Sequence, residues 1–155
     1  MTYRIRGLET APFSALFGLS DEALAAQGVR RYTVDRKGAF PDRIELRDLE
    51  PGESVLLLNF THLPARSPYR ASHAIYVKEG AEHPFDAVGE VPEVMKVRLI
   101  SLRAYDKDDW MVDADITEGE QLPTLINRFF ADARVAYLHA HYARRGCFAA
   151  RIDRV

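Results

Sequence analysis

The segment AYLHAHYARRGC, residues 136–147, carries two of the chain's five histidines and its only cysteine. Imidazole and thiolate bind transition metals and move protons near neutral pH. His139 and His141 stand two positions apart. On a strand that spacing puts both rings on one face, about 6.5–7 Å apart along the backbone. Such a pair supplies two ligands to zinc or a similar metal, and the ion needs a third and usually a fourth. Cys147, His73, Asp113 and Asp115 are the candidates to complete the set, and no spacing selects among them. The opposing reading is a polar sheet face whose histidines are solvated or hydrogen-bonded.

Cys147 has a second candidate role as a nucleophile. Arg145 and His141 nearby would lower its thiol pKa, while the plainer reading is a small packed residue. The stretch YRASHAI, residues 69–75, is the other place where chemistry-bearing types gather. Arg70 can clamp a carboxylate or phosphate through its planar fork. His73 shares a face with Ile75 and Val77, so the alternative is a buried histidine bonded to backbone. Ser72 is not its nucleophile partner, because consecutive strand residues point to opposite faces. No nucleophile-elbow, dinucleotide-binding or P-loop pattern occurs, and Asp106-x-Asp108-Asp109 lacks the length of a calcium loop.

Positioning these side chains is the work of the terminal hairpin, residues 134–153. A three-residue turn, Arg144-Arg145-Gly146 with a left-handed glycine, pairs His141 with Ala149 and His139 with Arg151. One face then collects His139, His141, Cys147, Arg151 and Asp153. The other collects Ala136, Leu138, Ala140, Tyr142, Phe148, Ala150 and Ile152. A four-residue loop mixes the two sets and ranks second.

The rest of the chain reads as alternating short elements. Residues 3–8 and 29–35 are strands. A helix start falls at Thr10–Phe13, and a second helix is capped by Ser20 and stopped by Gly28. SVLLLNFT, residues 54–61, is apolar on both faces and fits a central strand covered on both sides. Residues 72–78 form the next strand, and the proline-punctuated 81–96 reads as irregular. Two strands, 97–105 and 110–117, flank the turn at Asp106–Asp109, with Trp110, Val112, Ala114 and Ile116 facing one way. Leu122, Leu125, Ile126 and Phe129 follow helical spacing, so residues 120–131 form an amphipathic helix laid on the sheet. The fold class is α+β: a single domain, 1–155, of mostly antiparallel sheet with two or three short helices.

Composition narrows the function classes. With 21 Lys+Arg against 23 Asp+Glu, the formal charge of -2 does not fit a general nucleic-acid binder. Acids gather between Asp106 and Glu120, and arginines gather in the last hairpin. These regions either pair across the sheet or meet at a subunit interface. One cysteine cannot close an internal disulfide, and no apolar run has membrane-span length. The N-terminus shows no secretory signal, so the expected location is cytoplasmic.

The stretches YRIRGLETAPFSALFGLSDEALAAQG, EPGESVLLLNF, SPYRASHAIYVKEG, LRAYDKDDWMVDADI and AYLHAHYARRGCFAARIDR together resemble the bacterial family catalogued as domain of unknown function 1203. The resemblance spans nearly the whole chain. It implies no substrate, cofactor or catalytic residue.

Three functional expectations follow from the residues. The first is binding of an anionic small molecule by Arg70, His73, His139, His141 and Arg151, with a histidine as acid or base if there is chemistry. It requires residues 70–73 to neighbour the terminal hairpin. The second is a non-enzymatic interaction or structural module, such as a homodimer. The third is a metal-dependent enzyme built on His139 and His141, which requires a third ligand and an open position. No membrane or nucleic-acid partner is expected, and no cofactor is fixed.

Overall fold

Alternating strand residues build two antiparallel sheets in the computed structural model, which describes residues 2–155. In chain order the elements are β1 (Tyr3–Arg6), α1 (Asp21–Ala25), β2 (Arg30–Thr33), β3 (Ser54–Leu63), β4 (Ala71–Lys78), β5 (Asp86–Val88), α2 (Glu93–Lys96), β6 (Leu99–Tyr105), β7 (Met111–Glu118), α3 (Leu122–Phe130), β8 (Tyr137–Tyr142) and β9 (Phe148–Arg154). The larger sheet runs β5-β1-β9-β8-β6-β7, and the smaller runs β2-β3-β4. Mostly antiparallel sheet with short helices makes this an α+β fold. Among the described residues no helix is long and apolar enough to cross a membrane.

Local chemistry explains the helices. Ser20 caps α1, its Oγ accepting the Ala23 N–H at 3.1 Å, and Asp21 and Glu22 occupy the first turn, where the helix dipole favours acids. Gly28 follows with φ +73°, the left-handed conformation that ends the turn. On α3, Leu122, Leu125, Ile126, Phe129 and Phe130 are buried in one core cluster with Ile100, Leu102, Leu138, Ala140 and Ile152. Each such side chain contributes about 1.5–3 kcal/mol of burial.

Two segments differ from the sequence reading. Residues 81–96, expected to be irregular, contain β5 and α2. A three-residue strand and a four-residue helix are too short to show a period. What fixes β5 is pairing with β1 and the Arg4–Asp86 ion pair at 2.5 Å. Of the expected apolar stripe at 110–116 only Val112 packs against a core, while Ile116 is 59% exposed and Trp110 50%. Ala114 and Ile116 pair with Arg103 and Ser101, while Asp115 pairs with Leu102 and bonds Arg128 of α3 at 2.6 Å.

The smaller sheet has its own cores. Leu56 and Leu58 of β3 and Ile75 and Val77 of β4 join one cluster with Leu24 and Ile44. Val55 points the other way, into a cluster with Val34 and Leu49. The strand is thus covered on both faces near its start, whereas Asn59 and Thr61 in its second half are exposed.

Candidate metal centre

All six residues of β8 are buried, so this strand is covered on both faces. Leu138, Ala140 and Tyr142 join the α3-side core. Tyr137, His139 and His141 alternate with them and point to the opposite face, where the smaller sheet meets the larger one. From that sheet come two further histidines. His73 of β4 pairs across from Phe60 of β3. A bulge then sets Thr61 and His62 against Ser72 before Leu63 pairs with Ala71, and His62 and Leu63 are both buried.

Four imidazoles therefore meet, two from each sheet. Ring centroids lie 4.8 Å apart for His62–His73, 4.9 Å for His62–His141, 5.1 Å for His73–His141 and 5.1 Å for His62–His139. Phe148 stacks flat against His62, with centroids 4.9 Å apart and planes at 9°. His62, His73 and His141 each offer one ring nitrogen, and these atoms all lie within 4.8 Å of one another.

Hydrogen bonding sets which nitrogens are available. His141 Nδ1 lies 2.9 Å from the Gly146 carbonyl, a partner that only accepts. It therefore carries the proton, and Nε2 keeps its lone pair. His62 Nδ1 lies 3.0 Å from His139 Nδ1. With His62 donating and His139 accepting, His62 Nε2 also keeps a lone pair. Among the described residues, the buried side-chain nitrogens with no hydrogen-bond partner are His62 Nε2, His73 Nδ1 and His141 Nε2. These are the three residues of the metal-competent group. A buried polar atom left unpaired costs about 1–3 kcal/mol. One cation shared among the three nitrogens would satisfy them together.

Electrostatics keep the rings neutral, as ligation requires. Burial pushes His139 down to about 2, helped by the repulsion that protonation of His62 or His141 alongside it would bring. Burial and Arg103 push His141 down to about 3. Burial, then His73 and Arg103, lower His62 to about 4. His73 is also lowered, by burial and then by Arg103 and Arg43.

A buried arginine fixes the wall of the site. Arg43, 1% exposed, donates from Nε to the Phe148 carbonyl at 2.8 Å and from Nη1 to the Pro41 carbonyl at 2.6 Å. Its Nη2 lies 3.0 Å from Cys147 Sγ, and its guanidinium lies 4.9 Å from the Tyr142 ring centroid. Residues 147 and 148 are thereby held from the chain segment before β3.

The hairpin register differs from expectation from His141 to the turn. His139 pairs with Arg151 as read from sequence, but His141 pairs with Phe148 rather than Ala149. A bulge at Ala149 causes the shift. It turns Phe148 onto the histidine face and leaves Ala149 in the α3-side core. The Tyr142 N–H donates to the Cys147 carbonyl at 3.0 Å, so the turn has four residues, 143–146, rather than the three expected, and the bulge restores Ala150 and Ile152 to the apolar face. Gly146 adopts φ +76°, which fits its place in the turn.

The remaining sequence candidates lie as follows. His73 neighbours the terminal hairpin through His141. Cys147 packs with the α3-side core and Arg43, not among the imidazoles. Arg70 reaches the Ala65 carbonyl at 3.5 Å and lines a cavity with Thr61, Ala71 and Ser72. Arg151 covers the Tyr137 ring at 4.1 Å and bonds Asp153. Asp113 is exposed and Asp115 is held by Arg128, so neither joins the group. Sequence reasoning missed His62 and Arg103. The alternation Leu56, Leu58, Phe60, His62 was the available signal for the first. The pairing of Arg103 with His139 needed the strand order.

An α+β protein whose two sheets each present two histidines to a shared interior is the class that fold and site define. The chain belongs to the family described as Protein of unknown function (DUF1203), which matches residues 39–154 and so includes all four of these histidines. No curated protein and no solved structure matched the chain.

Proposed function

We propose that this protein is a metal-dependent enzyme acting on a small molecule. His62, His73 and His141 ligate one transition-metal ion, and His139 orients His62. The observation that carries the reading is the set of three buried, unpartnered imidazole nitrogens on three mutually adjacent rings. A neutral three-imidazole set suits zinc, and also iron, copper or nickel. Three protein ligands leave a coordination position for water or substrate, which is the pattern of catalytic rather than structural zinc sites. An ion so held supplies Lewis acidity and acidifies a bound water. The chain's own residues hold the ligand tautomers through His139 and the Gly146 carbonyl, and Phe148 shields one side of His62 from water.

The test is elemental analysis of protein purified without chelator, beside His62→Ala and His141→Ala variants whose folding is checked by circular dichroism. Near-stoichiometric metal that is lost in the folded variants is the expected result. Protein that contains no metal and takes up none of added zinc, cobalt, iron, copper or nickel overturns the reading.

A further inference from the structure

Arg103 stands on β6 directly opposite His139 of β8. Residues directly opposed in an antiparallel pair share a face, so Arg103 projects to the imidazole side of the larger sheet. Tyr105, two positions on, shares that face, and its ring lies 5.4 Å from His139. Among the described residues Arg103 makes no ion pair, whereas Arg31, Arg47 and Arg98, half-buried like it, each hold a carboxylate. The positive charge of Arg103 is felt at all four histidines.

Charge balance gives this cation a role. Three neutral imidazoles leave a dication uncompensated, and Arg103 adds a further positive charge beside it. Among the described residues no carboxylate joins the metal-competent group. A half-buried excess of positive charge is costly unless an anion offsets it. The planar guanidinium fork is shaped for the paired oxygens of a carboxylate or phosphate.

Resting on the metal-centre reading, we propose that the substrate carries an oxyanion, and that Arg103 binds that group beside the metal. Arg103 thus takes the anion-holding part first assigned to Arg70 and Arg151.

The experiment is calorimetric titration of acetate and of inorganic phosphate, separately, into zinc-loaded and metal-free protein, with Arg103→Met and Arg103→Lys variants in parallel. Metal content is measured on every sample. The expected result is binding of at least one anion that weakens tenfold or more in Arg103→Met and is partly restored in Arg103→Lys, at unchanged metal content. Which anion binds separates a carboxylate from a phosphate substrate. Absence of binding, or equal affinity in wild type and Arg103→Met, overturns the proposal. Failure to take up zinc or any of cobalt, iron, copper and nickel overturns the metal centre alone: Arg103-dependent binding by the metal-free protein would still support the anion site.

Discussion

His62 and His139 approach each other to 3.0 Å between their Nδ1 atoms, across the junction of two sheets. The contact makes His139 a positioning residue: it selects the tautomer of His62 and fixes its ring. Removing such an outer partner typically costs 10–100-fold in metal affinity, whereas removing a ligand costs far more. His139→Ala is therefore expected to bind zinc about 10–100-fold more weakly while retaining a single site, and His62→Ala to lose the site. Competition with a chromophoric chelator measures both. Equal losses in the two variants would contradict the assigned roles.

The pH dependence of stability has a fixed sign. An unfolded histidine titrates near 6.5, while burial holds His62, His139 and His141 at about 4, 2 and 3. Below about pH 6.5 the unfolded chain binds more protons than the folded one, so stability falls with pH. Each ring contributes a slope of about 1.4 kcal/mol per pH unit within its own window. Glu79 acts lower down. Its bonds to Arg31 hold it at about 2, so its contribution is present above the ordinary glutamate range and is lost as pH falls toward 2. Urea titrations of metal-free protein at pH 7.5, 6 and 5 should show a steady fall in midpoint. A flat profile over that range would show that the rings are not held neutral.

Arg43 is fully buried and makes three side-chain hydrogen bonds. Arg43→Met leaves two carbonyls without donors, so a loss of about 3 kcal/mol is expected. Cys147→Ser keeps a small polar acceptor and should cost about 1 kcal/mol or less. Chemical denaturation of both variants checks the ranking, and a reversed order would place the stabilising role on the thiol.

Phe148 is 2% exposed and stacks on His62. Truncation to alanine should cost about 3–5 kcal/mol through lost burial and a cavity. It should also increase the mobility of the His62 ring, read as broadened imidazole resonances. A loss below 1 kcal/mol would mean that the surroundings collapse to fill the space.

Some of this was legible in the sequence and some was not, for physical reasons. Ser20 as a cap, the α3 stripe and the His139–Arg151 pairing follow from local chemistry and period. His73 was visible as a singular residue on an apolar strand face. His62 was hidden because the apolar run ended the strand reading at Thr61, one residue short, and because a bulge decides where it points. The Ala149 bulge likewise exchanged Phe148 for Ala149 on the site face, and a two-residue period contains no sign of an extra residue. The fellowship of Arg103 with His139 depends on β6 lying beside β8, which is a fact of topology.

The two-plus-two origin of the histidines also bears on the order of events when the chain folds. His62 and His139 are 77 positions apart, and their meeting closes a long loop. A chain in which only one sheet has formed has at most two of the four rings in place. The quartet therefore arises only when the sheets dock, a late step for contacts of such high sequence separation. A metal present during synthesis would meet no finished site on a half-folded chain, and its uptake would report that docking is complete.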